Sequence, residues 1–371
     1  MPGALSVLLP SPTQTLFLRA CLPTGETGRA AFDAWCARVG DPAMALRNPR
    51  HADRRMRPLL LSSTARNGAG IGHDLVVMCR AARLAEELRL PQLIEAGHEA
   101  LERTRAAGVP VIMLRGPVLA KAAHGDVVLR HCHDIDLLVP PEAIGDAVGA
   151  LAPWPGQSLR QGRRLTHPSG SLIALHSRLY HEPHYCGPFP ELSTGQVAAM
   201  PAARPIPALD PADLLVYVCA HEVDVGSTNS LRWAADAWGL IDRTPELDWD
   251  RAFATARAGH LVLPLLLLLA WLRRELDAAI PEEFLERLGE AAAGLEAVDR
   301  DCILDLARKR SGAVALVRAA DRRERPRLCG TLLWPSPGYL QLRRSGQRRR
   351  PPALARAARV WGGIAATIRA T

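Results

Sequence analysis

Apolar and polar positions along this chain follow two periods, and the switch between them marks its parts. Up to about residue 95 the spacing is helical over 30–39 and 75–88, with a break expected at 58–63, where Pro58 interrupts the pattern. Residues 92–107 read as an amphipathic helix. The segments then shorten: 109–114 predicts a buried strand, 118–124 a helix, 135–139 a strand, 142–151 a helix and 171–176 a further strand. A Pro- and Gly-rich stretch at 183–211 forms a connection, and beyond it the pattern is helical over 212–223, 231–241, 249–258, 265–278 and 281–288. Asp210 before Pro211 supplies an N-cap with proline at the first helical position. Short strands alternating with helices, flanked on both sides by helices, predict an α+β fold with a short mixed sheet. Three parts follow: an N-terminal helical lobe at 1–95, an α/β core at 96–200 and a C-terminal helical lobe with a basic tail at 201–371.

The core carries the chemistry. Asp134 and Asp136 sit two apart in the otherwise apolar string Asp134-Ile135-Asp136-Leu137-Leu138-Val139, so on a strand both side chains point the same way. Two like charges held that close either lie on a solvated edge or need a cation: an arginine, in a structural pairing, or a divalent metal such as Mg²⁺ (or Mn²⁺) completed by substrate phosphates. Gly116 lies where a strand gives way to a helix, a place where backbone N–H groups approach phosphate oxygens.

The string Leu114-Arg115-Gly116-Pro117-Val118-Leu119-Ala120, then Arg130, then Asp134 to Val139 resembles the uncharacterised nucleotidyltransferase-like family within the DNA polymerase β superfamily. Leu175-His176-Ser177-Arg178-Leu179 resembles a further family segment, as do 214–221, ending in His221, and 231–236, ending in Asp236. The resemblance implies a nucleotidyltransferase core in which Asp134 and Asp136 are the catalytic, metal-binding carboxylates. Arg115, Gly116, Arg130 and His176 would then bind substrate and phosphate. It also implies transfer of a nucleotidyl group from a nucleoside triphosphate to a hydroxyl acceptor, including acceptors in the tailoring of ribosomally made peptides.

Departures from the family pattern qualify that picture. Arg115 stands where lysine is usual, exchanging a point donor for a planar fork, and Pro117 removes one N–H beside the glycine. Ala174 occupies the place where the family often has a third carboxylate, leaving Glu182, Asp126 or His176 to take its role. Two rivals stand beside nucleotidyl transfer: movement of a sugar from a sugar nucleotide onto a phosphorylated peptide, and a non-catalytic peptide- or protein-binding member with a degraded metal site. His221 reads on its own as an interior histidine, and Asp236 as a surface partner of Arg232 at i−4, with Arg232 a second phosphate-ligand candidate.

Length and composition narrow the class. At 371 residues the chain exceeds what one core usually organises, and its longest apolar stretch, 261–272, is broken by Pro264 and too short to span a membrane. The first ten residues do not read as a signal peptide. The eight cysteines include no C-x-x-C pair, which argues against both a zinc module and a disulfide framework and for a reducing, cytoplasmic setting. His131-Cys132-His133 can turn only its two histidines to one side of a strand. The net charge of +8 is nearly all arginine, with eight arginines and no acidic residue in 341–371. Such a tail fits RNA, anionic lipid or an acidic peptide, but a solvated helical end over 353–368 is the reading preferred, and nucleic acid is not favoured as the partner.

Overall fold

The computed structural model describes residues 2–22, 25–159, 162–185, 197–199, 205–225 and 231–344. Cys186, most of the connection expected at 183–211 and the arginine-rich tail from residue 345, with its helix at 353–368, lie outside the described residues. The fold is α+β. Among the described residues a mixed five-stranded sheet has the order β1-β2-β5-β4-β3, with β1 at Ile112–Met113, β2 at Asp134–Leu138, β3 at Gly156–Leu159, β4 at Gly162–Thr166 and β5 at Leu172–His176. β2 and β5 run parallel, and their neighbours pair antiparallel. A parallel pair needs a long return. Helix Ile144–Ala150 and the β3–β4 hairpin, which was not expected from the sequence, supply it.

Strand alternation sorts the sheet into two faces. Ile135 and Leu137 of β2, Ile173 and Leu175 of β5 and Leu165 of β4 pack against Leu90, Leu93, Ala96, Ala100 and Leu101 of the long helix His73–Ala106. Asp134, Asp136, Ala174 and His176 must therefore take the other face. Because the odd positions of β2 are fully buried, a register slip of one would bury the carboxylates against leucines, so the hydrophobic pattern itself fixes where the acids point.

Pro58 behaves differently from expectation, and Pro91 lies inside a helix. The helices expected at 75–88 and 92–107 are one, His73–Ala106, with Pro91 inside it, so the expected division at 95/96 falls within a continuous helix. Pro91 has no N–H for the carbonyl of Glu87, a loss on the order of 3 kcal/mol. Buried Leu90 and Leu93, one on either side, provide packing that offsets it. Pro58 opens the helix Arg57–Arg66 rather than breaking a pattern, since the first helical turn needs no N–H partner there.

Helices from both ends of the chain share one apolar cluster, in which Phe17, Trp35 and Leu60 meet Leu215, Trp233, Leu268 and Leu304. No described helix is long and apolar enough to cross a membrane. Helix Arg232–Arg243 lies against the short helix Pro117–His124 so closely that a Cβ on Gly239 would stand 2.1 Å from the Ala123 carbonyl oxygen. Gly239→Ala is expected to lower stability by roughly 1–3 kcal/mol, as overpacking does. Urea unfolding measures it, and a variant as stable as the parent would mean the two helices part without cost.

Candidate functional site

On the acidic face of the sheet, the loop after β1 and the helices Pro211–Val225 and Arg232–Arg243 help enclose a cleft of about 410 Å³, within the range of small-molecule sites. Asp136 lies in its wall and is 3 % exposed. Arg115 Nε and Nη2 both donate to Asp136 Oδ2 at 2.9 Å, and His176 Nε2 donates to Oδ1 at 2.7 Å. The β2–β5 register explains the second contact: Leu138 is opposite His176, so His176 stands one same-face step along from Ala174, the direct neighbour of Asp136. Burial alone would raise the Asp136 pKa. The Arg115 charge and the His176 hydrogen bond outweigh it and hold the carboxyl well below the usual range.

Arg115 reaches further. Its Nη1 donates to His221 Nε2, so this ring is neutral and carries its proton on Nδ1, where no acceptor lies among the described residues. Burial, then the Arg115 charge, keeps the His221 pKa well below its ordinary value. His221 is thus an acceptor for the site arginine in the cleft wall. The chain His176–Asp136–Arg115–His221 joins β5, β2, the loop after β1 and helix Pro211–Val225. That helix starts as expected, with Asp210 Oδ1 accepting from Ala212 N at 2.9 Å.

Gly116 adopts φ 78°, and a Cβ there would come within 3.1 Å of the Asp134 carbonyl oxygen. Only glycine combines that backbone with that approach. Asp134 itself is less enclosed, and its carboxylate has a 3.4 Å contact with His133 Nε2.

The remaining charges are arranged differently from expectation. Arg130, expected at phosphate, donates its Nε to both carboxylate oxygens of Asp236 at 3.0 Å, and His124 Nε2 donates to Oδ1 at 2.9 Å. Asp236 is 2 % exposed, so it is no surface partner of Arg232. Burial would raise its pKa, but Arg130 and His124 hold it low. Arg232 instead donates Nη1 to the His131 carbonyl at 3.2 Å, and its Nε has no partner among the described residues. Burial, then the like charges of Arg130 and Arg55, lowers the Arg232 pKa to about 10. Arg164 also lines the cleft. It lies on β4 directly opposite Ala174, and its place went unread because no strand was expected there.

Of the three groups considered for the missing carboxylate, only His176 lines the cleft. Asp126 caps Val128 N at 3.2 Å and faces Arg83, while Glu182 is held by Arg343 at 2.6 Å. His131 donates Nδ1 to Glu86 Oε1 at 2.7 Å, and Cys132 is buried. Among the described residues the wall brings four arginines to two aspartates. Such a cleft attracts polyanions, and its two same-face carboxylates offer oxygen ligands of the kind hard divalent cations take.

A family model described as an uncharacterised nucleotidyltransferase matches residues 52–277, more than half of the chain. No curated protein matches it. Among solved structures, the antibiotic-resistance factor ANT(2'')-Ia is similar at 16% identity and a TM-score of 0.34, covering 45% of this chain and 91% of that one, a likeness too slight to carry function.

The buried Arg130–Asp236 pair generates a prediction of its own. Asp236→Asn leaves Arg130 desolvated without a counter-charge and is expected to cost about 3–5 kcal/mol at neutral pH. Because the folded carboxyl titrates below its unfolded value of about 3.9, its stabilisation is complete above that pH and lost as pH falls through the lower folded value. Denaturant melts of both proteins from pH 7 to about pH 2 therefore keep a constant gap down to about pH 4 and draw together below it. A gap that does not narrow below about pH 4 contradicts the charge account.

Proposed function

We propose, from the premise that the chain belongs to the uncharacterised nucleotidyltransferase family, that the cleft binds a nucleoside triphosphate and transfers its nucleotidyl group to an acceptor hydroxyl. The observation that carries this reading is the excess of arginine around two same-face aspartates, a wall suited to a triphosphate. Asp134 and Asp136 would hold Mg²⁺ or Mn²⁺. The fit is good, since each carboxylate oxygen has two lone pairs, Asp134 has no arginine within pairing distance among the described residues, and Mg²⁺ commonly takes one or two carboxylates plus phosphate oxygens and water. When bound, the ion neutralises phosphate charge.

In this reading Gly116 lets the loop come close to the β- and γ-phosphates, while Arg115, Arg164 and Arg232 offset their charge. Arg130, already paired with Asp236, supports the wall beneath them. His176 presents Nδ1 as acceptor because Nε2 donates to Asp136, which suits it to take the proton of the attacking hydroxyl where Ala174 offers no carboxylate. The acceptor oxygen bonds to the α-phosphorus, the bond from that phosphorus to the bridging oxygen breaks, and pyrophosphate leaves with its charge held by the arginines. A hydroxyl on a ribosomally made peptide is the acceptor class we put first.

One observation favours a second reading. Ala174 directly beside Asp136, with both oxygens of Asp136 already engaged, suits a chain that binds nucleotide or peptide without turnover. In that case Ala174→Asp would create activity that the natural chain lacks.

Calorimetric titration with nucleoside triphosphates and a UDP-sugar, with Mg²⁺ or with EDTA, separates these readings. Metal-dependent triphosphate binding is expected, abolished in Asp134→Ala/Asp136→Ala and weakened roughly 10- to 100-fold in Arg164→Ala, the loss of one charge-assisted contact. Label on the α-phosphate should then appear in the product and label on the γ-phosphate in pyrophosphate. A product heavier by a hexose contradicts nucleotidyl transfer. Triphosphate affinity unchanged in the double aspartate variant contradicts the metal assignment.

A further inference from the structure

A second cluster lies outside the cleft wall. His184 follows β5 in the segment that carries the cleft residue His181. His260 sits in the turn between helices Trp249–Ala258 and Val262–Leu276, and Asp299 in the first turn of helix Ala297–Ser311. Asp299 Oδ1 accepts from His184 Nε2 at 2.7 Å and from His260 Nδ1 at 3.3 Å. One ligand atom from each residue falls within 4.8 Å of the other two. The rings of His184 and His260 are 4.5 Å apart, centroid to centroid.

Three features make this more than a hydrogen-bonded trio. The donor set is two imidazoles and one carboxylate, which suits zinc and not the hard cations expected between Asp134 and Asp136. A tetrahedral ion with bonds of about 2.0 Å separates its ligand atoms by about 3.3 Å, so changes of no more than roughly 1.5 Å in any one separation convert the present spacing into coordination. The support is also built: Asp299 Oδ2 accepts from Glu296 N at 3.1 Å, fixing the carboxylate so that Oδ1 faces the histidines. Asp299 and His184 are nearly buried while the His260 side chain is half exposed, which leaves an entry path and room for a water as fourth ligand.

We propose that His184, His260 and Asp299 bind a zinc ion that pins the segment leaving β5 to the C-terminal helices. The ion replaces the two imidazole-to-carboxylate hydrogen bonds with coordinate bonds to three elements distant in sequence. Through His184 it steadies the stretch holding His181 in the cleft wall, so its role is positioning and not chemistry at the phosphates.

The test uses the full chain, stripped with a chelator and titrated with zinc alone, with metal content read by mass spectrometry and cobalt substitution read in the visible spectrum. Stoichiometric zinc and ligand-field bands of a low-coordinate cobalt site are expected. His260→Ala, on a half-exposed side chain and checked for unchanged circular dichroism, and His184→Ala should each weaken zinc binding by more than roughly 100-fold, the upper range for losing even an outer-shell partner. Asp134→Ala/Asp136→Ala should keep its zinc, which separates this site from the phosphate cleft. No zinc above a buffer blank in the parent chain, or zinc held as tightly by His260→Ala as by the parent, overturns the proposal.

Discussion

A carboxylate sealed at the base of a sheet must be given its counter-charge by the fold, and at Asp136 that demand organises the surroundings. Solvent reaches almost none of it, so the Arg115 fork and the His176 ring have to be delivered at hydrogen-bonding distance from two other elements. Arg115 arrives because Gly116 turns the chain sharply after β1, and His176 because β5 lies parallel to β2 in a register that leaves the small Ala174 at its side. The same guanidinium then engages His221, drawing a C-terminal helix over the sheet. Breaking any of these leaves a buried charge uncompensated, which is far costlier than losing an exposed ion pair.

The second buried acid works on the same principle but serves a different end. Asp236 neutralises Arg130 and binds His124, locking the helix after Gly116 to helix Arg232–Arg243 at the point where Gly239 permits contact. Arg232 is buried beside Arg130 and Arg55, and burial first, then those like charges, lowers its pKa against the weaker pull of Asp236 and Asp53. A cleft with one arginine satisfied by Asp136, one by Asp236 and two more in its wall is short of negative charge, and that shortage is the electrostatic basis of the triphosphate site proposed above. The position of Ala174 fits this electrostatic picture, since a third carboxylate there would confront Arg164 across β4 and cancel part of the attraction.

How much of this could be read from the chain depended on the range of the signal. The period-two acids on an apolar strand gave away Asp134 and Asp136 and the face they share, because alternation is a local rule. The α+β class followed from the switch of period in the same way. Arg130 and Asp236, by contrast, meet across 106 positions, and nothing local distinguishes a buried pair from two surface charges. Arg164 was hidden because β3 and β4 contain Gly156, Gly162 and several polar residues, which blur the alternation that marks a strand. Pro58, expected to mark a break, sits where a helix tolerates proline, and the helices expected at 75–88 and 92–107 run together because packing holds Pro91 inside one helix. His176 was flagged by resemblance, and only the β2–β5 register explains how it reaches Asp136.

The central claim is that this clamped aspartate, with Asp134 and the surrounding arginines, forms a triphosphate site. A crystal structure with a non-hydrolysable nucleoside triphosphate and Mn²⁺, located by its anomalous signal, tests it most directly. Manganese is expected between Asp134 and Asp136, with phosphate oxygens within hydrogen-bonding distance of Arg115, Arg164 or Arg232. Manganese absent from the two aspartates, with Arg115 and His176 still enclosing Asp136 and no phosphate in the cleft, would contradict it.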